Sequence, residues 1–194
     1  QDAKDPEKYI LHVVASGLGL PDRDYYLQDT PEFGQIREQY VAHLAKMLVH
    51  TGVPEAQAAK KAKGILALET KIAKVHLPMV DKTYNKYTLA QLKKEAKGLD
   101  WDAFFQAAQI PAQQELIISE PSALVGIAKL TSSEPLATWK DYLRVHLVKG
   151  MASYLPAAID AEEFAFSGTV LSGQPLVHRG DDVLHQLVRR DGQA

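Results

Sequence analysis

The chain of 194 residues contains no cysteine, which excludes disulfides and thiolate metal sites. That fits the cytosol, or a bacterial secreted protein that does without bridges. No apolar run approaches the roughly eighteen residues of a membrane-spanning helix, and no signal-peptide pattern opens at Gln1. An excess of one charge is missing too. The 22 Lys and Arg stand against 24 Asp and Glu, a net charge of -2, which argues against a dedicated nucleic-acid binder. Catalytic signatures are equally scarce. There is no His-Glu-x-x-His, the motif that sets two histidines on one helix face around a metal with a glutamate to activate its water. There is no Gly-x-Ser-x-Gly elbow, no Gly-x-x-x-x-Gly-Lys phosphate loop and no dinucleotide fingerprint. Gly17-Leu-Gly19 lacks the third glycine and the helix start of a Rossmann turn.

What is present is an ordinary globular composition, 46% hydrophobic and 24% charged. A chain of this size buries roughly 70% of its unfolded surface, enough for one sizeable core or two small ones. Charge is unevenly spread. Ten lysines lie between Gln57 and Lys97 against Glu69, Asp81 and Glu95, while the first forty residues are acid-rich. The lysine run reads as a solvated helix face, with an anion-binding surface as the alternative.

The pattern along the chain is helical. Tyr9–Ala15 is rich in β-branched residues and reads as a strand. Thr30-Pro31 offers an N-cap with proline at the first helical position, and Ile36, Tyr40, Leu44, Met47 and Leu48 follow at helical spacing until Gly52. Pro54 opens a second helix with an apolar stripe of Ala58, Ala62, Ile65, Leu66, Leu68, Ile72 and Ala73, ending before Pro78. Asp81–Tyr87 is a polar connection. Thr88 with Gln91 forms a capping box for a third helix closed by Gly98. Asp100 caps a short one holding Trp101, Phe104 and Phe105, stopped by Pro111. Leu116–Ser119 is a second strand. Helices follow from Pro121 to about Leu130, from about Pro135 to Tyr154, and from Ala157 to Phe166. The longest of these places Leu136, Trp139, Leu143, Leu147 and Met151 on one side. The expected fold is mainly α, a multi-helix orthogonal bundle with one small two-stranded β element, about Tyr9–Ala15 and Leu116–Ser119.

Three groups invite a chemical reading. His43 and His50 lie two helical turns apart on one face, too far apart to share a metal without a third element between them. Glu69 and His76 fall in the middle of an apolar stripe. A buried carboxylate is costly unless it is paired, so the pair reads as a buried polar tie, with Arg23, Lys86 or a tyrosine hydroxyl as partner. A metal ligand or general base is the alternative. The tail His178-Arg-Gly-Asp-Asp-Val-Leu-His185 matches no metal spacing with a mechanical rationale, and its Arg-Gly-Asp triplet is too short to be specific. It reads as a frayed terminus.

The run Gly17-Leu-Gly-Leu-Pro-Asp-Arg-Asp-Tyr-Tyr-Leu27 is the most distinctive stretch. Its glycines permit unusual backbone angles and Pro21 fixes its own φ, so it reads as an ordered loop. It resembles a motif of the neprilysin and endothelin-converting-enzyme family of zinc endopeptidases, whose bacterial members carry a near-identical GLGLPDRDYYL. Further matches follow in family order: Ala67-Leu-Glu-Thr-Lys-Ile-Ala73, Tyr84-Asn-Lys-Tyr-Thr-Leu-Ala-Gln-Leu92 (with Tyr87 where methionine is usual), Asp100-Trp-Asp-Ala-Phe104, Ile117-Ile-Ser-Glu-Pro121, Trp139-Lys-Asp-Tyr-Leu-Arg144, Phe164-Ala-Phe-Ser-Gly168 and Leu171-Ser-Gly-Gln-Pro175.

The resemblance implies the N-terminal, mostly helical part of the family's ectodomain, which caps a thermolysin-like catalytic domain and encloses a chamber that admits peptides. The family's zinc ligands, catalytic glutamate and Asn-Ala motif come later in its chain, so no catalytic, cofactor-binding or metal residue carries over. Gly17, Gly19, Pro21, Arg23, Asp24, Tyr25 and Tyr26 carry over as a fold-defining loop, as do Tyr84, Asn85, Lys86 and Thr88. After Pro175 the family pattern breaks off abruptly. The expected division is therefore 1–175 as the helical region and 176–194 as a divergent tail, of the kind a frameshifted or truncated gene produces.

Two functions follow. The first is the non-catalytic part of a neprilysin-like zinc endopeptidase, inactive alone, with zinc and peptide cleavage belonging to the complete enzyme. The second is a stand-alone helical module binding a protein or peptide. The expected partners are the missing catalytic domain and, in the full enzyme, peptides. Self-association through the orphaned face is also expected. The resemblance points to an extracytoplasmic, periplasmic or secreted bacterial location.

Overall fold

The computed structural model describes residues 2–77, 84–110 and 114–175. Its elements in chain order are β1 (Leu11–Val13), α1 (Asp24–Leu27), α2 (Pro31–His50), α3 (Glu55–Val75), β2 (Asn85–Thr88), α4 (Leu89–Glu95), α5 (Trp101–Ala107), β3 (Glu115–Ile118), α6 (Pro121–Ser133), α7 (Leu136–Gly150), a 3-10 turn (Ala152–Tyr154), α8 (Ala157–Glu163) and a π-helix (Phe164–Leu171). The fold is mainly helical with a small mixed sheet. The chain divides into two compact units, residues 1–37 with 63–142 and residues 38–62 with 143–194.

In the first unit the sheet has strand order β1-β3-β2. β3 is central because Leu116, Ile117 and Ile118 are apolar and buried on both faces. It pairs in parallel with β1, Leu11 against Leu116. It pairs antiparallel with β2, Asn85 against Ile118. β2 is an addition to the two strands expected, and it occupies the end of what reads as a polar connection. Asn85 and Tyr87 are half-buried while Lys86 and Thr88 face out, an edge strand whose outward face carries charge and polarity. Thr88 then closes the strand and opens α4. Its hydroxyl accepts from Gln91 N at 3.2 Å, and its own N–H donates to Gln91 Oε1 at 2.8 Å. Asp100 caps α5 through Ala103 N at 3.0 Å. The core of this unit gathers Leu92, Trp101, Phe105, Leu116, Ile118 and Leu124.

The second unit buries Leu44, Met47, Leu48, Val53, Ala58 and Val145. Here two expectations change. The last helix leaves α geometry after Glu163 and continues as a π-helix to Leu171. Gly168 belongs there because a Cβ would lie 2.7 Å from the Phe164 ring. The apolar side of α7 is also not a core face: Leu143 and Leu147 are 61% and 68% exposed, as are Leu136 and Met151 at 68% and 45%. Helical spacing identifies a stripe but not what covers it. The expected tail cluster His178–His185 and the stop at Pro111 lie outside the described residues.

Candidate functional site

The glycine-and-tyrosine loop is organised by one phenol. α1 is a single turn at the end of the loop, started by the Asp22 side chain accepting from Asp24 N at 2.9 Å. It turns Tyr26 inward, where the residue is 6% exposed. The Tyr26 hydroxyl accepts from Gly19 N at 3.0 Å and Leu20 N at 2.8 Å, and donates to Glu69 Oε2 at 2.8 Å. Glu69 lies on α3 and is fully buried. Burial, then the Glu69 carboxylate, pushes the Tyr26 hydroxyl far above the ordinary tyrosine range, so it stays a donor at any physiological pH. Tyr142, raised by the same two causes in the same order, donates to Gly17 O at 2.9 Å.

His76, one residue past α3, has Nε2 3.3 Å from Ser16 O and Nδ1 3.6 Å from Glu120 Oε2. Glu120 is fully buried and also accepts from Leu77 N at 3.0 Å. The Ser16–Leu20 loop and the His76–Leu77 segment are thereby held by carboxylates and phenols on α1, α3, α7 and at the start of α6. The loop walls a cleft of about 200 Å³ lined by Ser16, Gly17, Leu20, Pro21, Arg23 and His76, among others. Glu69 does not line it.

The other singled-out residues fall around this centre. Arg23 reaches Ala73 O through Nε at 3.4 Å, and not Glu69. Asp24 accepts from Gln28 Nε2 at 2.9 Å, and the Tyr25 carbonyl accepts from Arg37 Nη1 at 2.9 Å. Lys86 pairs with Glu115 at 2.7 Å across the strands, which raises its ammonium above the usual range. Tyr84 donates to Asp2 at 2.7 Å. The backbone N–H of Lys4 first, and then that hydroxyl, hold the Asp2 carboxyl below the ordinary value. Asn85 Nδ2 donates to Ile118 O at 3.1 Å. Sequence reasoning missed Glu120 and Tyr142. Both sit inside quoted motifs, and the one signal was an acid directly before the helix-starting Pro121.

His43 and His50 part company in the second unit. His50 is exposed and His43 is 2% exposed, stacked on Phe166 at 4.7 Å and 12°. Its Nδ1 lies 3.1 Å from Glu162 Oε1. Its Nε2 lies 3.1 Å from Glu163 Oε2 without the alignment of a hydrogen bond. The two carboxylates address different ring nitrogens, so the donors do not converge on one point. Among the described residues no group of three or more His, Asp or Glu side chains is arranged to hold a metal ion. A zinc ion therefore does not fit the residues described.

Comparison with known proteins places these features in a family. The model of peptidase family M13, N-terminal part, matches residues 1–190. The chain belongs to this family. It is 28% identical over 174 residues to endothelin-converting enzyme 1 of Cavia porcellus, covering 84% of this chain and 23% of that protein. It is 24% identical over 171 residues to neprilysin-3 of Drosophila melanogaster, covering 80% and 22%. Among solved structures, the zinc metalloprotease Zmp1 of Mycobacterium tuberculosis in its open state matches with a TM-score of 0.81 and 35% identity, over 87% of this chain and 27% of that one. PepO from Lactobacillus rhamnosis, at 18% identity and a TM-score of 0.71, shares the fold. The chain thus spans about a quarter of the length of the proteins it matches.

Tyr26→Phe removes the acceptor of two backbone N–H groups and a donor to Glu69. The expected loss is about 1–3 kcal/mol, read as a lower urea midpoint at unchanged slope. An unchanged midpoint would show that the hydroxyl does not organise the loop.

Proposed function

We propose that this chain is the non-catalytic helical region of a neprilysin-like zinc endopeptidase, which caps the peptide chamber of the complete enzyme and is inactive by itself. The observation that carries the reading is the match of residues 1–190 to the N-terminal M13 model in a chain whose described residues gather no metal-holding group. Zinc, and with it the activation of water for peptide hydrolysis, belongs in this reading to the rest of the enzyme. The missing catalytic part is the partner, and peptides are the substrates of the whole.

Within that role the loop Gly17–Leu27 and the segment Tyr84–Thr88 define the fold, and Glu69 and His76 serve as buried ties. Residues 1–175 form the helical region and 176–194 a divergent tail, in an extracytoplasmic setting. No helix among the described residues is long and apolar enough to cross a membrane. The apolar exposure of Leu143, Leu147 and Tyr154 favours the part of a larger enzyme over a stand-alone module, whose free surface would have become polar.

The test is a peptidase assay on the purified chain with added zinc and a quenched fluorescent peptide. No turnover above the buffer rate is expected. Chelator-sensitive cleavage that persists through repurification would overturn the assignment.

A further inference from the structure

Arg23 carries more hydrogen-bonding capacity than its surroundings use. Its side chain is only 25% exposed, and a guanidinium holds its N–H donors in a fixed fork that matches a carboxylate. Among the described residues its polar contacts are long. Nε reaches Ala73 O at 3.4 Å, and Nη1 lies 3.8 Å from Asp24 Oδ1. Asp24 is itself engaged through its other oxygen, which accepts from Gln28 Nε2 at 2.9 Å. Neither contact of Arg23 has the length of about 2.7–2.9 Å that a charge-assisted hydrogen bond adopts. A cation buried this far is costly without a close acceptor.

The same side chain lines the cleft of about 200 Å³ beside the glycine-and-tyrosine loop, within the first unit of the chain. Leu18, Leu20 and Leu77 give that cleft an apolar part. His76 lines it too, but its two ring nitrogens face Ser16 O and Glu120 Oε2, so the donors for a ligand come from Arg23. Asp22, in the same lining, accepts from Asp24 N at 2.9 Å. Its negative charge opposes a doubly charged guest, which favours a monoanion over phosphate. The volume falls below the roughly 300 Å³ at the low end of sites for whole small molecules, so the cleft suits a single residue-sized group.

We propose that this cleft binds a carboxylate carried on a small apolar body, the carboxylate on the Arg23 fork and the hydrocarbon against Leu18, Leu20 and Leu77. A free short-chain acid and the C-terminal residue of a peptide present the same chemistry. The inference concerns residues of this chain alone and does not rest on the peptidase reading.

Amide chemical-shift titration of the full chain tests it with four probes: isovalerate, a short peptide ending in leucine, the same peptide as its C-terminal amide, and inorganic phosphate. Saturable shifts at Gly17, Leu18 and Leu77 are expected from isovalerate, from the free-acid peptide, or from both, and which of them binds identifies the source of the carboxylate. The amide and phosphate are expected to leave those signals in place. Arg23→Lys keeps the charge but not the fork, and is expected to weaken binding about tenfold. No saturable shift from either carboxylate refutes the proposal. So does an amide or phosphate that binds as well as the acids, or a folded Arg23→Lys chain that binds as tightly as wild type. The comparison of acid with amide uses the unaltered chain, so it decides the matter even if the variant does not fold.

Discussion

Glu69→Ala is expected to lower stability by about 3–5 kcal/mol. For a chain of this length that is a fall in melting temperature of roughly 6–20 °C. The size follows from where the carboxylate sits. Glu69 is fully buried on α3 and accepts the hydrogen bond of a Tyr26 hydroxyl that itself accepts from two loop N–H groups. Truncation leaves a hole, worth a few kcal/mol in a packed core, and strips the buried phenol of its acceptor. Glu69→Gln separates the two contributions. The amide keeps the volume and one carbonyl oxygen for Tyr26, so its cost should stay near 1–2 kcal/mol. Calorimetry of the two variants checks this. Equal melting temperatures for wild type and Glu69→Ala would mean the buried carboxylate holds nothing.

The burial of Glu69 was legible in the sequence because helical spacing puts it between Ile65 and Ile72. A tyrosine hydroxyl was one of three candidate partners, beside Arg23 and Lys86, but which tyrosine was not legible. Tyr26 lies 43 positions away, and periodicity carries no information on which of several tyrosines folds back. The same division runs through the structure. Thr88 with Gln91 and Asp100 could be read as caps because capping is a contact between residues three apart. β1 and β3 could be read from branched apolar runs. β2 could not, because Asn85-Lys-Tyr-Thr88 is an edge strand whose pairing with β3 supplies the reason for its conformation. His43 looked like half of a histidine pair, but its neighbours are Glu162 and Glu163, brought from 119 positions away or more. The family was legible from ordered motifs. The exposure of Leu143 and Leu147 was not, since a buried stripe and an uncovered one have the same spacing.

Gly17→Ala is expected to cost about 2–4 kcal/mol, from two separable causes. Gly17 has φ +104°, a backbone state that strains any residue with a Cβ by about 1–3 kcal/mol. The added Cβ would also lie 2.7 Å from the Tyr142 hydroxyl, the group that donates to the carbonyl of Gly17 itself. The hydroxyl must retreat, and a partly buried hydrogen bond worth about 1 kcal/mol goes with it. Gly52 provides the control. Its φ is +87°, yet a Cβ there meets nothing within 4 Å, so Gly52→Ala should show the strain alone. Tyr142→Phe isolates the contact from the other side. With the hydroxyl gone the alanine methyl has more room, so Gly17→Ala combined with Tyr142→Phe should cost less than the sum of the two, by about 1 kcal/mol. Strict additivity in denaturant titrations would assign the whole loss to the backbone. Equal losses at Gly17 and Gly52 would show that the tyrosine does not guard the turn, and the glycine would then be required for its dihedral angle and not for the close approach of α7.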